Sequence, residues 1–76
     1  MDIREQTFGE LTVRASFNPS QDSQVDAIKQ KAADLIDACH ALRQGANGDA
    51  AVVRLASLAI TEAEIACMWA VKAATA

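Results

Sequence analysis

Apolar side chains recur every three or four residues along the first half of the chain, which predicts an amphipathic helix from about residue 20 to residue 44. This seam consists of Val25, Ile28, Ala32, Leu35, Cys39 and Leu42. The charged side chains, among them Lys29 and Lys31, fall mostly off the seam and are expected to face water or a ligand. The helix should end at residues 45–48, where two glycines and an asparagine favour left-handed backbone.

A second, more apolar helix is predicted from about residue 50 to residue 75, a length of about 40 Å at 1.5 Å per residue. Its few charges are Arg54, Glu62, Glu64 and Lys72. A helix that is apolar on nearly all sides is not the surface helix of a monomer, because packing on one neighbour leaves an apolar stripe in water. We therefore expect an all-α helical hairpin that assembles as a homo-oligomer.

Residues 1–16 lack this helical period. Polar and apolar side chains alternate over residues 10–14, as they do in a short strand or an extended arm. Because the sequence offers no partner strand, we expect an N-terminal extended arm that lies across a neighbouring helix or subunit. The whole chain is then a single helical domain.

Length and composition narrow the class of protein. A chain of 76 residues buries only about 60% of its unfolded surface and is marginal unless assembled. Cys39 and Cys67 are too few for a secreted disulfide framework, and no stretch resembles a signal peptide or a membrane span. We expect a cytoplasmic protein without membrane contact. The net charge of −3 argues against gripping a long nucleic acid, but cations from several subunits can neutralise a small ligand with few phosphates.

Residues 17–29 bring together an aromatic ring, several helix-start residues and a lysine. The free amides of a helix start suit an anion, Phe17 can stack on a base, and Lys29 can neutralise a phosphate. In the alternative interpretation Ser20 only caps the helix, Phe17 only packs and Lys29 is one solvated lysine of several. The spacing alone favours this alternative interpretation.

Catalytic and metal sites are not indicated. Cys39 and His40 point in different directions around a helix, and Cys67 alone does not complete a set of metal ligands. Glu62 and Glu64 lie about 200° apart on a helix and cannot act as a catalytic pair within one chain. We expect no enzyme activity, no metal and no cofactor.

Arg54 and Thr61 are two helical turns apart and share one face of the second helix. A charge on an apolar, oligomeric helix must find a partner, because an unpaired buried charge costs several kcal/mol. Arg54 could pair with Asp49 or with an aspartate of the first helix. Alternatively, copies of Arg54 and Thr61 from symmetry-related chains converge on an anion.

Taken together, these residues suggest a family. An aromatic before a capped helix, then Val-x-x-Ile-Lys, a glycine-containing loop and a helix with Arg-Leu-Ala-Ser-Leu-Ala-Ile-Thr resembles the small phage anti-CBASS proteins that act as cyclic-nucleotide sponges. The resemblance covers about residues 17–74. It implies helical homohexamers that sequester cyclic di- and trinucleotides in the cytoplasm of an infected bacterium, without breaking a bond.

The resemblance also implies site residues. It places a cyclic dinucleotide, such as cyclic GMP-AMP, between two protomers, with Phe17 stacked on a base and Lys29 at the phosphates. Aligning the chain on Ser20 would favour Lys31 instead. The family's aromatic can be a tyrosine, and this chain has none, so a hydroxyl contact is lost while stacking survives.

A second pocket in the family takes cyclic trinucleotides, and the positions that match its arginine and threonine are Arg54 and Thr61. The alternative function, from another class, is a small helical oligomeric adaptor or structural protein whose apolar faces bind a protein partner.

Overall fold

A computed structural model describes residues 5–76, which form three helices and no strand. The helices are α1 (Phe8–Thr12), α2 (Ser23–Gln44) and α3 (Ala50–Ala74). α2 and α3 pack together as a hairpin, and α1 packs on α2. The predicted all-α helical hairpin is confirmed. Within the described range, no helix is long and apolar enough to cross a membrane.

The three helices form a single layer. The molecule measures 41 × 31 × 12 Å, and its shortest dimension is about the diameter of one helix. Its radius of gyration is 13.6 Å, against about 11.4 Å for a compact domain of this length. Its accessible surface is 5398 Å², against about 4,450 Å² for a compact monomer of this mass. One layer cannot enclose a core from both sides, so both broad faces stay open.

Aspartates start both long helices. The Asp22 side chain accepts a hydrogen bond from the Gln24 amide at 2.8 Å. The Asp49 side chain accepts from the amides of Ala51 at 3.0 Å and Val52 at 3.3 Å. These caps satisfy amides that a helix start leaves without an intrahelical partner.

α2 begins at Ser23, three residues later than the predicted residue 20. Ser20 does not cap the helix: its hydroxyl donates to Asn18 Oδ1 at 2.6 Å and accepts from the Asp22 amide at 3.3 Å. Asn18 Nδ2 in turn donates to the Asp22 carbonyl at 2.9 Å and to Asp26 Oδ1 at 3.0 Å. These bonds hold residues 18–22 in a turn that leads into the helix.

The buried stripe of α2 differs from the predicted seam. The buried residues of the helix are Val25, Lys29, Ala33, Ile36 and Cys39. Leu35 and Leu42, which the seam placed inside, are 54% and 62% exposed. The reason is that α2 lies between α1 and α3, so its buried stripe is centred between two neighbours instead of on one.

The extended arm predicted for residues 1–16 is wrong over residues 8–12, which form α1. Residues 1–4 of that arm lie outside the described residues. A capping box starts α1: Thr7 Oγ1 accepts from the Glu10 amide at 3.1 Å, and Glu10 Oε1 accepts from the Thr7 amide at 2.9 Å. This local hydrogen bonding outweighs the alternating pattern of residues 10–14.

α1 packs closely on α2, as an arm lying across a neighbouring helix would. The Gly9 amide donates to Asp37 Oδ1 at 2.7 Å, and a Cβ at Gly9 would overlap the Ala33 carbonyl oxygen. Only glycine allows this approach.

A ring stack adds a second contact between α1 and α2. The Phe8 ring stacks on His40 with centroids 4.2 Å apart, and the Arg43 guanidinium lies 5.4 Å from the centre of the Phe8 ring. Arg43 also bonds His40 Nδ1 at 2.9 Å and donates to Ser57 Oγ of α3 at 3.2 Å. Because a guanidinium only donates, His40 Nδ1 is the acceptor of that bond.

Candidate functional site

Phe17, Ser20 and Lys29 line one cavity of about 320 Å³ beside the start of α2. Phe17 and Ser20 come from the segment between α1 and α2, and Lys29 comes from the second turn of α2. Val71 and Thr75, at the end of α3, line the same cavity. The hairpin thus brings together three of the residues that the sequence singled out.

Lys29 is buried, at 8% exposed, and does not lie on a solvated face as predicted. Its Nζ donates to the Arg14 carbonyl at 3.0 Å and to the Phe17 carbonyl. The ammonium lies 5.5 Å from the centre of the Phe17 ring. The segment before α2 folds back over the helix here, and its carbonyls replace water around the charge. A charge can be buried when it is hydrogen-bonded in this way.

Arg14 belongs to the same cluster, although the sequence analysis did not select it. Its guanidinium carbon lies 4.7 Å from the centre of the Phe17 ring, which is a cation–π contact. Phe17 itself is 52% exposed. The sequence feature that could have identified Arg14 is a basic residue three positions before an aromatic residue. Because residues 10–14 are interpreted as a strand, Arg14 is taken for one of its alternating polar residues.

The helix start does not offer the open anion site that the sequence suggested. The Asp22 carboxylate accepts from the Gln24 amide, so the protein's own negative charge lies where a phosphate was expected. Any anion beside Phe17 must therefore be held by side chains rather than by the amides of α2.

Lys31 lies apart from Phe17. It is exposed and borders a groove of about 280 Å³ with Leu35 on α2 and Ala66 and Ala70 on α3. Within one chain, Lys29 and not Lys31 accompanies Phe17 and Ser20.

Arg54 and Thr61 both lie exposed on α3. Thr61 Oγ1 donates to the Ser57 carbonyl at 3.2 Å. The salt bridge proposed for Arg54 does not form: Asp49 caps α3, and no carboxylate among residues 5–76 pairs with the guanidinium. Met68, two turns after Thr61, is 57% exposed. One chain therefore presents this face outward.

The two cysteines are free thiols buried between α2 and α3. Burial raises the pKa of the Cys67 thiol; the charge of Lys29 opposes this rise and that of Glu64 adds to it. The described part of the chain holds no group of three His, Cys, Asp or Glu side chains that could bind a metal ion.

Comparison with known proteins identifies the family. No curated protein and no solved structure matches the chain. Residues 10–75 match the family model described as "Acb2/Tad1, hairpin domain". The matched range contains both long helices and all the candidate residues discussed above. The chain therefore belongs to the Acb2/Tad1 hairpin family, the anti-CBASS sponge family that its sequence resembles.

Proposed function

We propose that this protein is a non-enzymatic sponge that sequesters cyclic di- and trinucleotide second messengers. It thereby blocks CBASS-type antiphage signalling in the cytoplasm of the infected bacterium. The observation that carries the proposal is the convergence of Phe17, Ser20 and Lys29 on one cavity, in a chain of this family.

In the proposed cyclic dinucleotide site, the half-exposed ring of Phe17 stacks on a base. Stacking on an aromatic side chain contributes about 1–3 kcal/mol per base. The Ser20 hydroxyl proton is directed to Asn18, so Ser20 meets the ligand as an acceptor. An ammonium has three donors, and Lys29 gives two of them to backbone carbonyls. Its positive charge, at the floor of the cavity, attracts the phosphates of the ligand.

In the proposed cyclic trinucleotide site, Arg54 and Thr61 of several protomers surround one ligand. A cyclic trinucleotide is nearly three-fold symmetric, so a homo-oligomer can present the same guanidinium to each phosphate. The outward position of both side chains, and the lack of a carboxylate partner for Arg54 within residues 5–76, support this arrangement.

Assembly, as a homohexamer in this proposal, is supported by the surface of the single chain. The hairpin is one layer thick and leaves many large apolar side chains exposed. Those on α3 are Val53, Leu55, Leu58, Ile65, Met68 and Trp69, each at least 38% exposed. Exposed apolar surface of this extent marks an association surface.

Calorimetry with cyclic GMP-AMP tests the proposal. We expect saturable binding, chemically intact ligand after denaturing the protein, and at least tenfold weaker binding by Phe17→Ala. Phe17→Tyr should retain affinity, since it keeps the stacking ring. Failure to bind any cyclic di- or trinucleotide at micromolar protein would refute the sponge, and a degraded ligand would indicate an enzyme.

The exposed apolar face of α3 also favours a second candidate, a helical oligomeric adaptor that binds a protein partner. Such a protein would assemble but ignore cyclic nucleotides. Light scattering combined with the calorimetric titration therefore separates the two functions.

A further inference from the structure

Two cations, Arg14 and Lys29, lie close to the Phe17 ring, and they differ in what already surrounds them. Lys29 is 8% exposed, and its ammonium bonds two carbonyls of the preceding segment. Most of its hydrogen-bonding capacity is therefore spent within the chain. The charge of Lys29 can therefore attract a ligand in the cavity without contacting it.

Arg14 is the opposite case. Its side chain is exposed, and its guanidinium is held against the Phe17 ring. Among residues 5–76, no hydrogen bond or ion pair engages the guanidinium, so its five N–H donors are free. A guanidinium lying on a ring keeps its donor edge available, and that edge matches two oxygens of a phosphate.

The backbone of Arg14 is held in an unusual conformation. Its φ is +56°, in the left-handed region that residues other than glycine seldom adopt. The Arg14 carbonyl accepts from Lys29 Nζ at 3.0 Å and from the Phe17 amide at 2.9 Å. The turn ends α1, where the Arg14 amide donates to the Leu11 carbonyl at 3.2 Å and the Ala15 amide to the Glu10 carbonyl at 2.8 Å. Lys29 adds a further hydrogen bond to this turn, which sets the guanidinium on the ring.

Phe17 lies between two cavities, and Arg14 lines one of them. Phe17 shares one cavity with Ser20 and Lys29, and a second, of about 340 Å³, with Arg14. A base stacked on the ring would lie within reach of the guanidinium, which could then hold the adjoining phosphate.

We propose that Arg14 contacts the phosphate of the cyclic dinucleotide, and that Lys29 is a positioning residue that acts through Arg14. This inference rests on the proposed function and assigns the ligand contact to a residue outside the predicted set. The recognised unit is a nucleoside phosphodiester, with its base on Phe17 and its phosphate on Arg14.

The first test compares Arg14→Gln with wild type in calorimetric titrations of cyclic GMP-AMP at several salt concentrations. We expect at least tenfold weaker binding and a shallower salt dependence, since one phosphate contact is lost. The melting temperature should stay within about 2 °C of wild type, because surface substitutions cost little stability.

A matched control is Lys72→Gln. Lys72 is an exposed cation whose Nζ lies 5.4 Å from the centre of the Trp69 ring, and it lines none of the cavities at Phe17. The Lys72→Gln variant removes one positive charge from a similar cation–π contact. We expect its affinity for cyclic GMP-AMP to equal that of wild type. Equal binding by Arg14→Gln and wild type would overturn the inference while leaving the proposed function standing.

A double-mutant cycle tests the positioning role. If Lys29 acts through Arg14, adding Arg14→Gln to Lys29→Met should cost almost no further affinity, because the guanidinium is already misplaced. Additive losses would show that Lys29 binds phosphate directly and would overturn its assignment as a positioning residue. Absence of binding by wild type would overturn both the inference and the proposed function.

Discussion

The two faces of α3 invert the usual distribution of side-chain size. The inner face, against α2, buries one large side chain, Ile60, among the small side chains of Ala56, Ala63 and Cys67. The outer face exposes larger ones: Leu55, Leu58, Ile65, Met68 and Trp69. Small residues allow two helices to approach closely, but they remove little apolar area from water. α2 and α3 therefore pack closely within the chain. Most of the large apolar side chains of α3 remain exposed and are available for contacts with other molecules.

The largest expected effect comes from placing charges on the outer face. Leu58→Asp with Ile65→Asp should dissociate the proposed oligomer, because carboxylates cannot be buried between copies without partners. Light scattering should then give the mass of a single chain, while circular dichroism remains helical because neither residue is part of the inner core.

The control for that experiment is Ala50→Asp with Ala51→Asp. Both positions are exposed at the start of α3, where the helix dipole accepts negative charge. This variant should keep the wild-type mass. If the outer-face variant also keeps that mass, or if wild type is already a monomer, the outer face is not the assembly surface.

On the inner face, Ile60→Ala should lower the free energy of unfolding by about 2–4 kcal/mol, since it removes packing from the centre of the core. Urea denaturation measures this effect. The neighbouring Thr61→Ala, on the exposed side, should change it by less than about 0.5 kcal/mol. If Ile60→Ala and Thr61→Ala lower the free energy of unfolding by similar amounts, the two faces of α3 are equally packed and the contrast between them is wrong.

The same close fit holds α1 on α2, and Gly9→Ala should disturb it. An added Cβ would overlap the Ala33 carbonyl oxygen and come within 2.9 Å of Asp37 Oδ1. We expect a loss of about 1–3 kcal/mol in the free energy of unfolding. Gly45→Ala is the matched control, because its Cβ would meet nothing nearer than the Ala41 carbonyl oxygen at 3.4 Å. If both variants are equally stable, α1 is not held by close packing.

The hairpin was predictable because helix periodicity and stop signals are local properties of the chain. The side of α2 that is buried was not, since Leu35 is as apolar as Ile36 and only the position of α1 decides between them. α1 itself was missed because a capping box of two residues, Thr7 and Glu10, outweighed an alternating pattern.

The candidate site was predictable in part for a similar reason. Phe17 and Lys29 could be selected by residue type, and the hairpin does bring them to one cavity. Burial of Lys29 by backbone carbonyls, and the placing of Arg14 on the ring, depend on a left-handed turn between α1 and α2. No residue pattern marks that turn, because arginine seldom adopts it.

The smallest expected effect is a pH dependence from Cys67 on the inner face. Burial raises the pKa of this thiol above its ordinary value of 9.0, with Lys29 opposing and Glu64 adding to the rise. The folded protein therefore holds the proton more tightly than the unfolded chain does. The resulting stability is fully present below the unfolded pKa and is lost as pH rises through the folded one. Urea denaturation between pH 7 and about pH 10 should show wild type losing more stability than Cys67→Ala, which has no thiol at this position to ionise. If wild type and Cys67→Ala lose the same stability over this pH range, water reaches the thiol. The inner face is then less tightly packed than its small side chains imply.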